Sequence, residues 1–239
     1  MNTALIFAGG AGTRMRTTGR PKQFLELHNK PIIIYTIECF EKHPEIDSIV
    51  VVCIEGWIDY LKKQLARFGF QKVVRIVPGG STSQESTRNG LEAVAEIQDP
   101  KDTVVLIHDG VRPLITEELI SDNIRMVRQK GNAITVAHAI ETIVTVDGSD
   151  QVDSVIDRSK CCLARAPQCF WLADIMELHE RAVQDDYQVI DSATLMMHYG
   201  RTLHIVEGPP ENIKITTPSD FYIFRAIMDA RENIQILGL

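Results

Sequence analysis

Ala4-Leu5-Ile6-Phe7-Ala8-Gly9-Gly10-Ala11-Gly12-Thr13-Arg14-Met15 is the stretch on which the fold turns. Residues 4–8 are a short apolar run, suited to a strand buried on both faces. The run breaks directly into glycines, which lack a Cβ and let backbone N–H groups approach a phosphate. Two cations follow on the same segment: Arg14 and, just after Pro21, Lys22. A plain strand-to-helix turn has no need of that charge. The dinucleotide-binding fingerprint requires a third glycine where Met15 stands, and a Walker A loop requires Gly-Lys-Ser/Thr, which is absent.

Outward from this stretch, short apolar runs alternate with longer amphipathic ones. The pattern predicts strands at residues 4–8, 48–54, 73–77, 103–107 and 133–137, with helices near 33–42, 58–68, 84–95 and 117–129. Strand–helix alternation implies a mainly parallel α/β sheet with right-handed crossovers, whose ligands bind beyond the carboxyl ends of the strands. After about residue 138 the rhythm breaks. Residues 142–147 and 151–157 flank Asp147-Gly148-Ser149-Asp150 and predict a hairpin, so 139–164 is an excursion from the sheet, an arm. The α/β pattern then resumes with helices near 174–183 and 191–199, a strand at 202–206 and a last helix at 218–231. Thr217-Pro218-Ser219-Asp220 supplies that helix with a cap.

Composition narrows the class. The 239 residues are 44% hydrophobic and 24% charged, ordinary values for a globular protein, which argues against a disordered tail, a fibre or a disulfide-stapled miniprotein. A net charge of −7 leaves no basic footprint, so nucleic acid is not the expected partner. The five cysteines are odd in number and contain no C-x-x-C pair, which disfavours a disulfide framework or a zinc knuckle and fits reduced thiols. No apolar run has the length of a membrane span, and the N-terminus lacks a cationic signal-peptide start; a cytoplasmic protein is expected.

Gly10-Ala11-Gly12-Thr13-Arg14 followed by Pro21-Lys22 matches a third loop, the G-x-G-T-R…P-K pattern of nucleotidyltransferases. Attack on an α-phosphorus with departure of pyrophosphate builds negative charge on phosphate oxygens. Fixed cations and backbone donors aimed there lower the barrier, with little covalent work for the protein.

Further blocks extend the likeness: Pro21-Lys22-Gln23-Phe24, Gly79-Gly80 with Ser86, His108-Asp109-Gly110-Val111-Arg112-Pro113, Asp157-Arg158, Pro167-Gln168-Cys169-Phe170 and Asn212-Ile213-Lys214-Ile215-Thr216. In this order they resemble the cytidylyltransferases that join CTP to a polyol phosphate. The resemblance covers essentially the whole chain. It implies one domain over residues 1–239 with a Rossmann-like, mainly parallel sheet of the nucleotide-diphospho-sugar transferase type. The arm at 139–164 would serve dimerisation and acceptor binding.

The resemblance also implies roles. Arg14 and Lys22 would hold the triphosphate and stabilise the transition state, with Gly10, Gly12 and Thr13 in the same loop. Ala8, Gly9, Gly80, Ser81 and Ser86 would surround the nucleotide. Asp109 would bind Mg²⁺ and face the acceptor, and Lys214 would contact phosphates from the opposite side. Arg112, Thr142 and Arg158 would contact the acceptor, the last two from the partner subunit of a homodimer. Each has a bland counterpart: Asp109 as a turn cap, Ser86 as an ordinary helix start, Arg158 and Lys214 as solvated cations. His108 is expected to be packed and hydrogen-bonded rather than a base, and His198 and His204 to be structural.

Two departures stand out. Ser83 occupies a place where the family usually has arginine, with Arg88 as the nearest substitute. Ala166 replaces the threonine of the T-P-Q-x-F block. The glycine loop, Val111, Thr142-Ile143-Val144 and Lys214-Ile215-Thr216-Thr217 lean toward the ribitol-5-phosphate branch of teichoic acid or capsule synthesis. The alternatives are the methylerythritol-phosphate branch of isoprenoid synthesis, a nucleotide-binding protein that has lost its chemistry, and a dinucleotide-dependent oxidoreductase, which Met15 disfavours.

Overall fold

A computed structural model describes residues 1–10 and 19–237. The described chain runs β1 (Asn2–Ala8), β2 (Glu26–Leu27), β3 (Lys30–Pro31), α1 (Ile32–Lys42), β4 (Ser48–Cys53), α2 (Ile58–Phe68), β5 (Val73–Pro78), α3 (Ser83–Ala95), β6 (Val104–Asp109), α4 (Glu117–Lys130) and β7 (Asn132–His138). It continues through β8 (Ile143–Val146), β9 (Val152–Ile156), β10 (Cys162–Trp171), α5 (Leu172–Gln184), α6 (Ser192–His198), β11 (Ile205–Glu207) and α7 (Pro218–Leu237). Seven of these strands form one sheet in the order β11-β7-β10-β6-β1-β4-β5. All neighbours are parallel except β10, which runs against both β6 and β7.

Alternation along the strands sorts side chains to two faces. Ala4, Ile6 and Ala8 of β1, with Ile49, Val51 and Cys53 of β4, pack against Ile33, Ile37 and Phe40 of α1 and Leu61 of α2. Leu5, Val50, Val52 and Val105 face the other way, onto Leu91 and Val94 of α3 and Leu172, Ile175 and Leu178 of α5. The continuous apolar run of β4 is buried at every position because both faces are covered. At Gly90, α3 lies so close to the sheet that a Cβ would meet Leu5 Cδ1 at 2.7 Å and Val52 Cγ2 at 2.8 Å. Gly90→Ala should overpack this contact at a cost of about 1–3 kcal/mol.

The parallel core follows the predicted rhythm, and α2 matches residues 58–68. One strand departs from expectation. β10 begins at Cys162, inside the segment read as an excursion, and runs down the middle of the sheet to Trp171. Its signal is broken because Pro167 cannot donate to a ladder, and its pairing with β7 shifts register between Ala164 and Gln168. β8 and β9 form a separate antiparallel hairpin whose residues are largely exposed. Among the described residues no helix is long and apolar enough to cross a membrane.

The order of the sheet locates the site. From β1 the chain builds outward through β4 and β5, then crosses to β6 on the other side of β1. The crevice beyond the carboxyl ends of β1 and β6 is therefore a topological switch point.

Candidate active site

A cleft of about 620 Å³ opens at that switch point. Its first wall is built on Asp109, the last residue of β6. The next residue must be small: Gly110 N donates to Phe7 O at 2.8 Å, and a Cβ on Gly110 would lie 2.8 Å from that same oxygen. The Asp109 carboxylate divides its oxygens between two cations. Oδ1 accepts from Lys214 Nζ at 2.7 Å and Oδ2 from Arg112 Nε at 2.8 Å. Arg112 and Arg165 both donate to Asn212 O, at 3.0 and 2.8 Å, and Asn212 Nδ2 donates to Ala166 O at 2.7 Å.

Lys214 is aimed by backbone rather than by chance. Ile215 N donates to Val111 O at 2.9 Å, and the Asp220 carboxylate accepts from Thr216 N, Thr216 Oγ1 and Thr217 N at the start of α7. The expected cap around Thr217-Pro218-Ser219-Asp220 thus also anchors a wall of the cleft.

Electrostatics follow from this packing. Burial works against the Asp109 carboxylate, but Lys214 and Arg112 outweigh it and hold the carboxyl down at about 2. His108 is buried, its Nε2 lying 3.1 Å from Arg112 O, and burial pushes its imidazole down to about 4. It is a packed, neutral group. Burial, then Arg112, lowers the Arg165 guanidinium.

The second wall is mostly backbone and small side chains: Ala8, Gly9, Gly10, Gly80, Ser81 and Ser86, with Lys22 at its edge. Among the described residues, a Cβ on Gly9 or Gly10 would meet nothing within 4 Å. Packing among the described residues does not demand glycine there, and both glycines line the cleft. Gln23 is buried, and its Nε2 donates to Ala8 O at 2.6 Å and Gly10 O at 3.2 Å, tying down the end of β1. Ser86 Oγ accepts from Gly80 N at 2.9 Å and donates to Thr82 O at 2.8 Å, so its hydroxyl shapes the loop. Thr82 caps α3 by accepting from Glu85 N, while Glu85 reaches back to Ser81.

Of the sequence-predicted residues, the structure brings together Ala8, Gly9, Gly10, Lys22, Gly80, Ser81, Ser86, Asp109, Arg112 and Lys214. Gly12, Thr13 and Arg14 lie outside the described residues. Thr142 and Arg158 are not among the described residues lining the cleft; Arg158 Nη1 donates to Ile140 O within the arm. Ser83 lines the cleft, but its suggested substitute does not. Arg88 lies 3.3 Å from Glu92 and lines a neighbouring hollow.

A family model described as IspD, 2-C-methyl-D-erythritol 4-phosphate cytidylyltransferase, matches residues 2–230. The chain belongs to this cytidylyltransferase family. A ribitol-5-phosphate cytidylyltransferase of Vibrio parahaemolyticus is 56% identical over 239 residues, covering all of both chains. One from Streptococcus agalactiae is 52% identical over 240 residues, again covering both in full. A 2-C-methyl-D-erythritol 4-phosphate cytidylyltransferase of Syntrophus aciditrophicus is 35% identical over 96% of this chain and 97% of its own. The crystal structure of 4-diphosphocytidyl-2C-methyl-D-erythritol synthase from Anaerococcus prevotii superposes with a TM-score of 0.82 at 29% identity, covering 95% of this chain and 96% of that one.

In this cytidylyltransferase, sequence patterns alone assign no role to Gln23, Arg165 or Asn212. Gln23 and Asn212 are buried polar residues whose partners are backbone atoms 15 and 46 residues away. Arg165 sits on β10, the strand whose pattern Pro167 interrupts.

Proposed function

We propose that the protein transfers CMP from CTP to D-ribitol 5-phosphate, forming CDP-ribitol and releasing pyrophosphate. The observation that carries this is the cation set of Lys214, Arg112 and Arg165 around Asp109 and Asn212, across the cleft from the glycine turn and Lys22. The choice of acceptor follows the relatives named for ribitol 5-phosphate, at 56% and 52% identity, over those named for methylerythritol phosphate, at 35%.

An oxygen of the acceptor phosphate attacks the α-phosphorus of CTP. The new P–O bond forms as the bond to the β-phosphate oxygen breaks, and the leaving charge passes to pyrophosphate. The attacking phosphate is largely deprotonated at neutral pH, so no general base is required. This suits a cleft whose described imidazoles, His108 and His179, are both buried and both pushed down to about 4. Lys22 and Arg14 hold the triphosphate and stabilise the charge that builds in the transition state. Ala8, Gly9, Gly10, Gly12, Thr13, Gly80, Ser81 and Ser86 hold the nucleotide. Lys214 and Arg112 receive the acceptor phosphate, with Asp109 keeping both cations extended toward the cleft.

The cleft wall offers two carboxylates among the described residues, and one of them, Asp191, is occupied in capping α6. No cluster of three ligating side chains occurs among the described residues. Asp109, whose two oxygens each accept one bond from Lys214 and Arg112 and keep a further lone pair, would be the residue to hold Mg²⁺, a single protein carboxylate of the kind that ion takes alongside a nucleotide. Such an ion would neutralise triphosphate charge.

We take residues 1–239 as one unit, with the part of the 139–164 segment that precedes β10 as an arm that pairs two copies and lends Thr142 and Arg158 to the neighbouring cleft. Its exposed Val144, Val146, Val152 and Val155 leave apolar surface for a partner to cover. A dimer in sedimentation is expected, and a monomer at working concentration would remove the arm from this account. A cytoplasmic location and a role in teichoic acid or capsule synthesis accompany the ribitol assignment.

The test is pyrophosphate release with CTP and Mg²⁺, comparing ribitol 5-phosphate with methylerythritol 4-phosphate. Turnover confined to ribitol 5-phosphate is expected. Turnover confined to methylerythritol 4-phosphate would move the enzyme to the isoprenoid branch. CTP binding without release across a broad acceptor panel would favour a lapsed enzyme, for which Ser83 and Ala166 are the motivating changes.

A further inference from the structure

Away from the cleft, three adjacent strands present a thiol, an imidazole and a carboxylate in a row. Cys162 of β10 is the direct cross-strand partner of His138 of β7, and its Sγ lies 3.4 Å from His138 Nδ1. On the far side of β7, Glu207 of β11 pairs with Val136, two residues before His138 and therefore on the same face. Its Oε1 lies 3.5 Å from His138 Nε2. Sheet register, rather than a loop, thus sets the order Cys162–His138–Glu207. All three residues are exposed.

The other thiols are engaged differently. Burial pushes Cys39 up to about 11, Cys53 up to about 12 and Cys169 well above its ordinary value, which leaves them as inert packing groups. Cys161 turns its thiol to Asp157 O at 3.5 Å. A metal site is not favoured, because no described group of three such side chains is arranged to hold one.

We propose that Cys162 is a reactive thiol, assisted by His138 and Glu207, that takes up small disulfides by exchange. With the Glu207 carboxylate 3.5 Å from Nε2 favouring a proton on that nitrogen, His138 Nδ1 accepts the Cys162 proton. The thiolate attacks one sulfur of a disulfide R–S–S–R, the S–S bond breaks, and a mixed disulfide forms on Cys162. The departing R–S⁻ takes the proton back from His138, giving R–SH. Protein-SH and R–S–S–R become protein-S–S–R and R–SH, with no further oxidant needed. From Cys162 the strand continues to Ala164 and Arg165 in the cleft wall, so an adduct would stand two residues from the active site.

The experiment incubates the purified full chain with oxidised glutathione, follows adduct formation by intact mass and locates the adduct by peptide mapping. Cys162 should carry it, at least about tenfold faster than Cys161. His138→Asn should slow the reaction about tenfold, and Glu207→Gln by a smaller factor. Circular dichroism checks that each variant is folded. If His138→Asn does not fold, Glu207→Gln alone decides, since slower adduct formation is still required of it. Equal reactivity of Cys161 and Cys162, no adduct on Cys162, or unchanged rates in the folded variants would overturn the proposal.

Discussion

The two walls of the cleft are made of different material. On the glycine side, backbone and small side chains dominate, and the supporting bonds span fewer residues: Thr82 to Glu85 and Ser86 to Gly80 are local, and Gln23 reaches Ala8 across 15 residues. On the Asp109 side, charged side chains dominate and the bonds span the chain, with Lys214 reaching Asp109 across 105 residues and Arg112 reaching Asn212 across 100. The first wall suits a nucleotide whose shape is fixed. The second suits a phosphate whose position is fixed by charge while the rest of the acceptor varies. The walls should therefore fail differently: damage to the first should lower turnover with any acceptor, and damage to the second should discriminate between acceptors.

Lys22→Ala offers the largest effect. Removing one fixed donor of transition-state charge costs about 10²–10³ in kcat in comparable sites. A loss of that size is expected, and it should be the same for every acceptor that turns over. Measuring kcat with two polyol phosphates tests this. A loss that depends on the acceptor would erase the distinction between the walls.

Next in size is acid lability, which both walls share. His108 stands behind the charged wall and His179 behind the glycine-side wall, and burial pushes each down to about 4 from an ordinary value of 6.5. A depressed imidazole binds its proton more readily in the unfolded chain. Stability is therefore full above pH 6.5 and drains away as pH falls toward 4, by up to about 3 kcal/mol for each group. Asp109, also depressed, acts in a lower window, between its ordinary 3.8 and about 2. Thermal unfolding between pH 7.5 and 4.5 should thus flatten in His108→Gln and in His179→Gln but keep its wild-type slope in Asp109→Asn. Unchanged slopes in both histidine variants would mean that these rings are not held neutral by the fold.

The same contrast explains what could be read in the chain. The glycine turn, with Lys22 just after it, and the parallel core announce themselves through local spacing, whereas Gly80 is named only through motif resemblance. Asp109 and Lys214 could be named only through motif resemblance; spacing alone does not show that Lys214 Nζ meets Asp109 Oδ1. β10 was illegible because Pro167 and a register shift interrupt its pattern, and Arg165 was lost with it. Thr142 and Arg158 flank a largely exposed hairpin and are not among the described residues lining the cleft, so nothing in a single chain shows what they contact in the reaction.

Gln23→Ala tests the backbone wall more gently. It leaves Ala8 O without the amide that reaches it at 2.6 Å in a buried site. An unsatisfied buried group costs about 1–3 kcal/mol. The expected result is a lower Tm together with a raised KM for CTP, as the end of β1 loosens, while the KM for the acceptor stays put. A rise confined to the acceptor would show that the Gln23 tie supports the wrong wall.

Arg165→Ala is the smallest effect and the sharpest comparison. Arg165 shares the Asn212 carbonyl with Arg112, so two guanidinium groups converge on one oxygen and repel each other. Such crowding of like charge is stabilised when an anion arrives, which makes Arg165 a group that gains from the acceptor phosphate. Because Arg112 and Lys214 remain, the loss should be partial: about a tenfold rise in acceptor KM, equivalent to about 1.4 kcal/mol, with the KM for CTP unchanged. Arg165→Lys should recover part of it, since charge is kept while the planar fork is lost. An equal rise in both KM values would mean that the charged wall serves the nucleotide as well, and that the division between the walls is one of composition alone.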